Sequence, residues 1–167
     1  MTADRNGTIV CPGSYDPVTN GHVDIITRAA SNFDKVVVGV VNNPVRKAKT
    51  LFTAEERCDL IKQATEHLDN VSVEIFSTLL VEFARDQGAS AILKGLRAIS
   101  DFEYEFEMAQ LNRKLDPEIE SLYVIASPHY SFLSSTGVQE MATFGGDVSD
   151  LVPEPVSRAL AERLGDR

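Results

Sequence analysis

Six consecutive positions, Val36-Val37-Val38-Gly39-Val40-Val41, carry no polar side chain. A strand with one wet face alternates polar and apolar residues, so an unbroken β-branched run belongs to a strand covered on both faces. Such strands sit in parallel sheets with helices above and below. Four more runs fit the same description: Thr8–Pro12, Val71–Phe76, Ala91–Lys94 and Ser121–Ala126. Helical patterns separate them, at Val23–Asn32, Thr53 to about His67, Leu79–Gln87 and Ser100 to Asp116-Pro117. One further helix is expected from Ser134 or Ser135 and a last one after Pro155. Thr53 with Glu56, and Ser100 with Glu103, have the spacing of a capping box. The pattern predicts an α/β chain with a Rossmann-like, doubly wound, five-stranded parallel sheet, one domain over residues 1–167.

The net charge of −9 argues against a nucleic-acid partner. A phosphate-bearing ligand would need local cations working against that field. Cys11 and Cys58 have neither metal-ligand nor disulfide-framework spacing. No run approaches the ~18 apolar residues of a spanning helix, and no signal peptide is visible. No membrane association and a cytoplasmic location are therefore expected.

In a doubly wound sheet, ligands bind beyond the carboxyl ends of the strands. The unusual chemistry of this chain collects in those segments. Gly13–His22 is a small-residue loop opening into a helix, a ready anion site with Ser14, Tyr15 and His22 in it. His22 reads as a donor to a phosphoryl group, or else as a helix cap or a core histidine. The helix dipole disfavours its cation by about 1 kcal/mol. A phosphate about 4 Å away favours it by several kcal/mol at an effective dielectric near ~20, so a charged ring is expected with nucleotide bound. Arg46-Lys47-Ala48-Lys49 reads as a phosphate clamp or a solvated loop. In Lys94-Gly95-Leu96-Arg97, Lys94 ends a strand, Gly95 admits close backbone approach and Arg97 can grip a phosphate bidentately. Asp101 to Glu105 reads as a dipole complement at a helix start. Tyr130-Ser131-Phe132-Leu133-Ser134-Ser135-Thr136 places three hydroxyls before a helix, one of them an ordinary N-cap.

Gly13-Ser14-Tyr15-Asp16-Pro17-x-Thr19-x-Gly21-His22 resembles the signature of the nucleotidyltransferase superfamily, usually His-x-Gly-His. Thr19 in place of the first histidine resembles its phosphopantetheine adenylyltransferase branch. Phe52-Thr53-x-Glu55-Glu56-Arg57, Lys94-Gly95-Leu96-Arg97, Asp101-Phe102-Glu103-Tyr104-Glu105 and Tyr130–Thr136 resemble that family's further motifs, in order. The resemblance implies reversible transfer of AMP from ATP to 4′-phosphopantetheine, giving dephospho-coenzyme A and pyrophosphate. It implies that Ser14 touches both substrates and that His22 stabilises the transition state. ATP contacts fall on Tyr15, His22, Gly95, Leu96, Arg97, Glu105, Tyr130, Ser131, Phe132, Leu133, Ser134, Ser135 and Thr136. Acceptor contacts fall on Leu80, Lys94 and Lys47, with Arg46 and Lys49 open alternatives because the Pro44–Phe52 segment is longer than usual. No resident metal site is implied; Mg²⁺ travels with ATP. A homohexamer and feedback by coenzyme A are further expectations. The competing readings are a sister enzyme with another phosphate-bearing acceptor and a nucleotide-binding module without turnover.

Overall fold

The computed structural model describes residues 7–45 and 49–165. Five strands, β1 (Thr8–Gly13), β2 (Lys35–Val41), β3 (Val71–Phe76), β4 (Ala91–Leu96) and β5 (Glu120–Ile125), form one sheet in the order β3-β2-β1-β4-β5. All four pairings are parallel. The helices are α1 (Asn20–Asn32), α2 (Ala54–Ala64), α3 (Leu80–Asp86), α4 (Ile99–Leu115), α5 (Ser135–Thr143) and α6 (Glu154–Leu164). A single 3₁₀ turn, Pro128–Tyr130, lies between β5 and α5. The doubly wound Rossmann-like sheet is as the apolar runs predict.

The valine run is covered on both faces. Val36, Val38 and Val40 join Ile9 and Cys11 under Ile26 of α1, Ile61 of α2, Val138 of α5 and Leu160 of α6. Val37 and Val10 point the other way, against Val81, Phe83 and Ala84 of α3. Each such valine stabilises the fold by about 1.5–3 kcal/mol. Gly39 breaks the run because a Cβ there would stand 2.6 Å from Phe83 Cε1, on a ring stacked 4.5 Å from Phe76. The β4–β5 end is different. Leu122 and Ile125 of β5 are exposed, and so are Ile99, Phe102, Phe106, Leu111 and Leu115 of α4.

Boundaries differ from expectation where tertiary contacts decide them. The Thr53–Glu56 capping box forms, with Glu56 N donating to Thr53 Oγ1 at 3.2 Å and Thr53 N donating to Glu56 Oε2 at 2.8 Å. The Ser100–Glu103 box does not form. α4 starts at Ile99 behind Ala98, with no side-chain cap. β4 runs past Lys94, because Gly95 and Leu96 pair with Val124 and Ile125 of β5. α1 starts three residues before Val23, behind Thr19, which puts Gly21 and His22 in its first turn. α2 ends at Ala64, short of His67, and α6 takes Pro155 into its first turn.

Candidate active site

A cavity of about 570 Å³ opens at the carboxyl ends of β1 and β4, where the strand order reverses. That volume suits a small organic ligand.

One wall is the loop from β1 into α1. Tyr15 sits in the left-handed region at φ 50°. For a bulky residue this conformation costs on the order of 1–3 kcal/mol, so the surroundings must enforce it. Its hydroxyl donates to the Cys11 carbonyl at 2.9 Å, and its ring occupies the space a Cβ on Gly13 would fill. Burial pushes the Tyr15 phenol well above its ordinary value. Tyr15 therefore has its backbone N–H, rather than its hydroxyl, to offer a phosphate. The next residue, Asp16, is 1% exposed. Its carboxylate accepts from Leu51 N at 2.9 Å, Phe52 N at 3.0 Å and Gln139 Nε2 at 3.2 Å.

Thr19 and His22 form a capping box with histidine in the place usually taken by glutamate. His22 N donates to Thr19 Oγ1 at 3.4 Å, and Thr19 N donates to His22 Nδ1 at 3.0 Å. Because Nδ1 accepts a backbone N–H, the ring proton is assigned to Nε2. The helix-cap reading of His22 is thus realised, and the ring lines the cavity as well.

The facing wall opens α5. Ser134 is its N-cap, accepting from Gly137 N at 3.0 Å, and Ser135 Oγ donates to the Pro17 carbonyl at 2.8 Å. Ser134, Ser135 and Thr136 line the cavity with Tyr130 and Leu133. The N-termini of α1 and α5 both abut it, adding partial positive charge where an anion would lie.

The third wall is β4 with α4. Lys94 Nζ donates to both carboxylate oxygens of Glu105 at 3.0 Å, and Tyr123 Oη donates to the Glu105 carbonyl at 3.0 Å. Burial, and then the Glu105 charge, push the Tyr123 phenol up to about 12. Arg97 lies 3.4 Å from Asp101 Oδ2 and donates to the Leu133 carbonyl at 2.6 Å. Gly95 has a packing reason: a Cβ on it would meet Ile25 Cγ1 of α1 at 3.1 Å. Each of the two cations on this wall is already paired with a carboxylate of α4.

Most of the expected residues converge here: Ser14, Tyr15, His22, Lys94, Gly95, Arg97, Glu105, Tyr130, Leu133, Ser134, Ser135 and Thr136. Four do not line the cavity. Leu96 is buried at the end of β4, Leu80 packs against the α3 cluster, Phe132 is exposed, and Ser131 Oγ donates to the Pro128 carbonyl. Lys47 and Arg46 lie outside the described residues. Lys49 is exposed. Thr19, Ile25, Ser100, Asp101 and Tyr104 also line the cavity without having been singled out as ligand contacts. Thr19 and Asp101 had a signal in spacing: Thr19 stands three before His22, and Asp101 four after Arg97. Among the described residues, no group of three or more His, Cys, Asp or Glu side chains could hold a metal ion. No helix among them is long and apolar enough to cross a membrane.

Residues 10–141 match the family model described as Cytidylyltransferase-like. The chain is 54% identical to the phosphopantetheine adenylyltransferase of Heliobacterium modesticaldum, over 94% of this chain and 92% of that protein. It is 50% identical to the phosphopantetheine adenylyltransferase of Caldanaerobacter subterraneus subsp. tengcongensis, over 93% of this chain and 96% of that protein.

Proposed function

The chain belongs to the cytidylyltransferase-like family, in its phosphopantetheine adenylyltransferase branch, and on that premise we propose that its crevice joins ATP to 4′-phosphopantetheine. A phosphate oxygen of the acceptor attacks the α-phosphorus of ATP. The bond from that phosphorus to the bridging oxygen breaks, and pyrophosphate leaves with the electron pair. Dephospho-coenzyme A is formed. The nucleophile is anionic at neutral pH, so no general base is needed. Catalysis then rests on aligning two polyanions and stabilising charge on the α-phosphoryl oxygens.

The observation that carries this reading is the His22 ring, held through Nδ1 by Thr19 and lining the cavity beside two helix N-termini. An Nε2–H at that place donates a hydrogen bond to charge developing on the α-phosphoryl oxygens. Ser14 and the backbone at Tyr15 hold phosphate between the substrates. Tyr130, Leu133, Ser134, Ser135 and Thr136, with Gly95, Arg97 and Glu105, cradle the nucleotide; Leu96, Ser131 and Phe132 support that segment from outside the cavity. Lys94, Ser14 and Lys47 take the acceptor phosphate. Leu80 opens α3 just after β3, so contact with it requires the pantetheine arm to run along the carboxyl edge past β2.

Mg²⁺ supplies charge neutralisation on the triphosphate and travels with ATP, as it does where a protein builds no cage for it. Asp101 and Glu105, the acidic groups lining the cavity, are taken up by Arg97 and Lys94. The exposed apolar residues of α4 and β5 favour self-association, consistent with a homohexamer, which light scattering tests. Coenzyme A, which carries both halves of the product, competes for the same crevice as a feedback ligand. The enzyme works in the cytoplasm, where its substrates are. Pyrophosphate release with ATP over a panel of phosphate-bearing acceptors tests the assignment. Turnover with 4′-phosphopantetheine alone is expected; equal turnover with nicotinamide mononucleotide or glycerol phosphate would overturn it.

A further inference from the structure

Arg57 is 1% exposed, the largest fully buried side chain among the described residues, and it lines no part of the cavity. Its guanidinium is bonded to a set of backbone carbonyls. Nη1 donates to the Ser14 carbonyl at 2.6 Å and to the Val41 carbonyl at 2.9 Å, and Nη2 donates to the Asn42 carbonyl at 3.0 Å. Nε is shared between the carbonyls of Phe52 at 3.2 Å and Thr53 at 3.3 Å. These carbonyls come from three places: the loop after β1, the end of β2 and the start of α2. Carbonyls beyond the last pair of parallel strands have no ladder partner, and leaving a buried one without a donor is destabilising.

Only a planar fork with several fixed N–H directions reaches all three segments at once. Burial lowers the guanidinium from its ordinary value, and the charge of Asp16 opposes that fall. Asp16 completes the clamp from the other side. It takes the N–H groups of Leu51 and Phe52, while Arg57 takes the carbonyls of Phe52 and Thr53. The two charges thus face each other across one stretch of backbone.

We infer that Arg57 is a positioning residue that fixes the spacing between the Ser14 loop and the β2-end loop, and through them the alignment of the two substrates. Ser14 is the residue shared by both substrates in the reading above, and the segment after Asn42 leads to the basic run with Lys47. The inference rests on that reading. A side chain that sets spacing matters most when both substrates are bound, because a misplacement of ~1 Å between reacting groups can cost about 100-fold in rate.

The test compares Arg57→Lys with the parent and with Leu160→Ala, a core variant of α6 that lines no part of the cavity, all well below their Tm. Arg57→Gln replaces the lysine variant if that one does not fold. Binary affinities for ATP alone and for phosphopantetheine alone are expected to stay within about threefold, while kcat falls by about 100-fold. Leu160→Ala, destabilised but folded, is expected to keep its kcat. A parent-like kcat in the Arg57 variant would overturn the inference. So would a loss confined to the two binary affinities, or an equal kcat loss in Leu160→Ala. Failure of the parent itself to release pyrophosphate would instead overturn the assignment of the reaction.

Discussion

The two sides of the crevice hold their polar groups in opposite ways. On the β1–α1 side, Asp16, Thr19 and Arg57 are buried and bonded mainly to backbone. On the β4–α4 side, Lys94 and Arg97 keep partial exposure and are paired with the carboxylates of Glu105 and Asp101. A side chain bonded to buried backbone cannot leave without stranding an N–H or a carbonyl. A partly exposed ion pair at the edge of a cavity can open, because water and an incoming anion replace each partner. The first wall is thus a fixed frame, and the second is a set of cations that a phosphate can claim.

The largest effect that tests this division is expected at His22, the one ring that is both frame and donor. His22→Ala removes the Nε2–H and the side-chain half of the α1 capping box. Turnover should fall about 100- to 1,000-fold, the usual loss for a donor to developing charge. The lost cap costs about 1 kcal/mol of stability, so the fold persists. Stopped pyrophosphate assays at saturating substrates measure the first effect and urea unfolding the second. A variant that retained most of its turnover would place the stabilising charge elsewhere in the crevice.

Next in size is Asp16→Asn, which attacks the frame without touching the cavity. The amide keeps one acceptor but turns an NH₂ toward Leu51 N or Phe52 N. The unmet N–H and the lost facing charge on Arg57 should cost about 1–3 kcal/mol, read as a lower urea midpoint at unchanged slope. If the wall is one rigid frame, kcat falls in the same variant at temperatures where it is fully folded. A stability loss with intact kcat would separate the frame from catalysis.

How much of this was legible in the sequence follows the same division. The valine run, the Thr53 cap and the small-residue loop are local patterns, and each appears as expected. Arg57 follows Glu55 and Glu56 at a helix start, where nothing in spacing marks a buried cation. Its role depends on carbonyls 43 and 15 residues away. β4 extends through Gly95 and Leu96 because β5 pairs with them, and Gly95 is glycine because Ile25 lies against it. The Ser100–Glu103 box fails for a related reason. Asp101 is drawn to Arg97, accepting from its N–H at 3.2 Å, and the helix begins two residues earlier than that box requires.

Glu105→Gln tests the adaptable wall; it leaves the largely buried Lys94 without its carboxylate, so stability should fall by about 1–3 kcal/mol. It releases Lys94 from its carboxylate, so 4′-phosphopantetheine should bind a few-fold tighter by calorimetry. Removing the carboxylate charge also removes one cause of the high Tyr123 value, so that phenol should titrate below about 12 in an absorbance scan. Unchanged phosphopantetheine affinity would mean that Lys94 is not held in reserve for the acceptor phosphate.

The smallest expected effect is at Cys11, which lines the cavity yet belongs to the fixed side. It is 1% exposed, and burial pushes its thiol up to about 12. The thiolate is the reactive form, and at a pH near ~8 only about one molecule in ten thousand would carry it. Iodoacetamide should therefore leave turnover and the intact mass at Cys11 unchanged over hours, with or without nucleotide. Cys58 is also buried, with its thiol raised by burial, so it provides an internal control on the far side of the same core. Labelling of Cys11 but not Cys58 would show that the β1 wall opens to the crevice, and the contrast between a fixed and an adaptable wall would then fail on the side where burial argues for it most strongly.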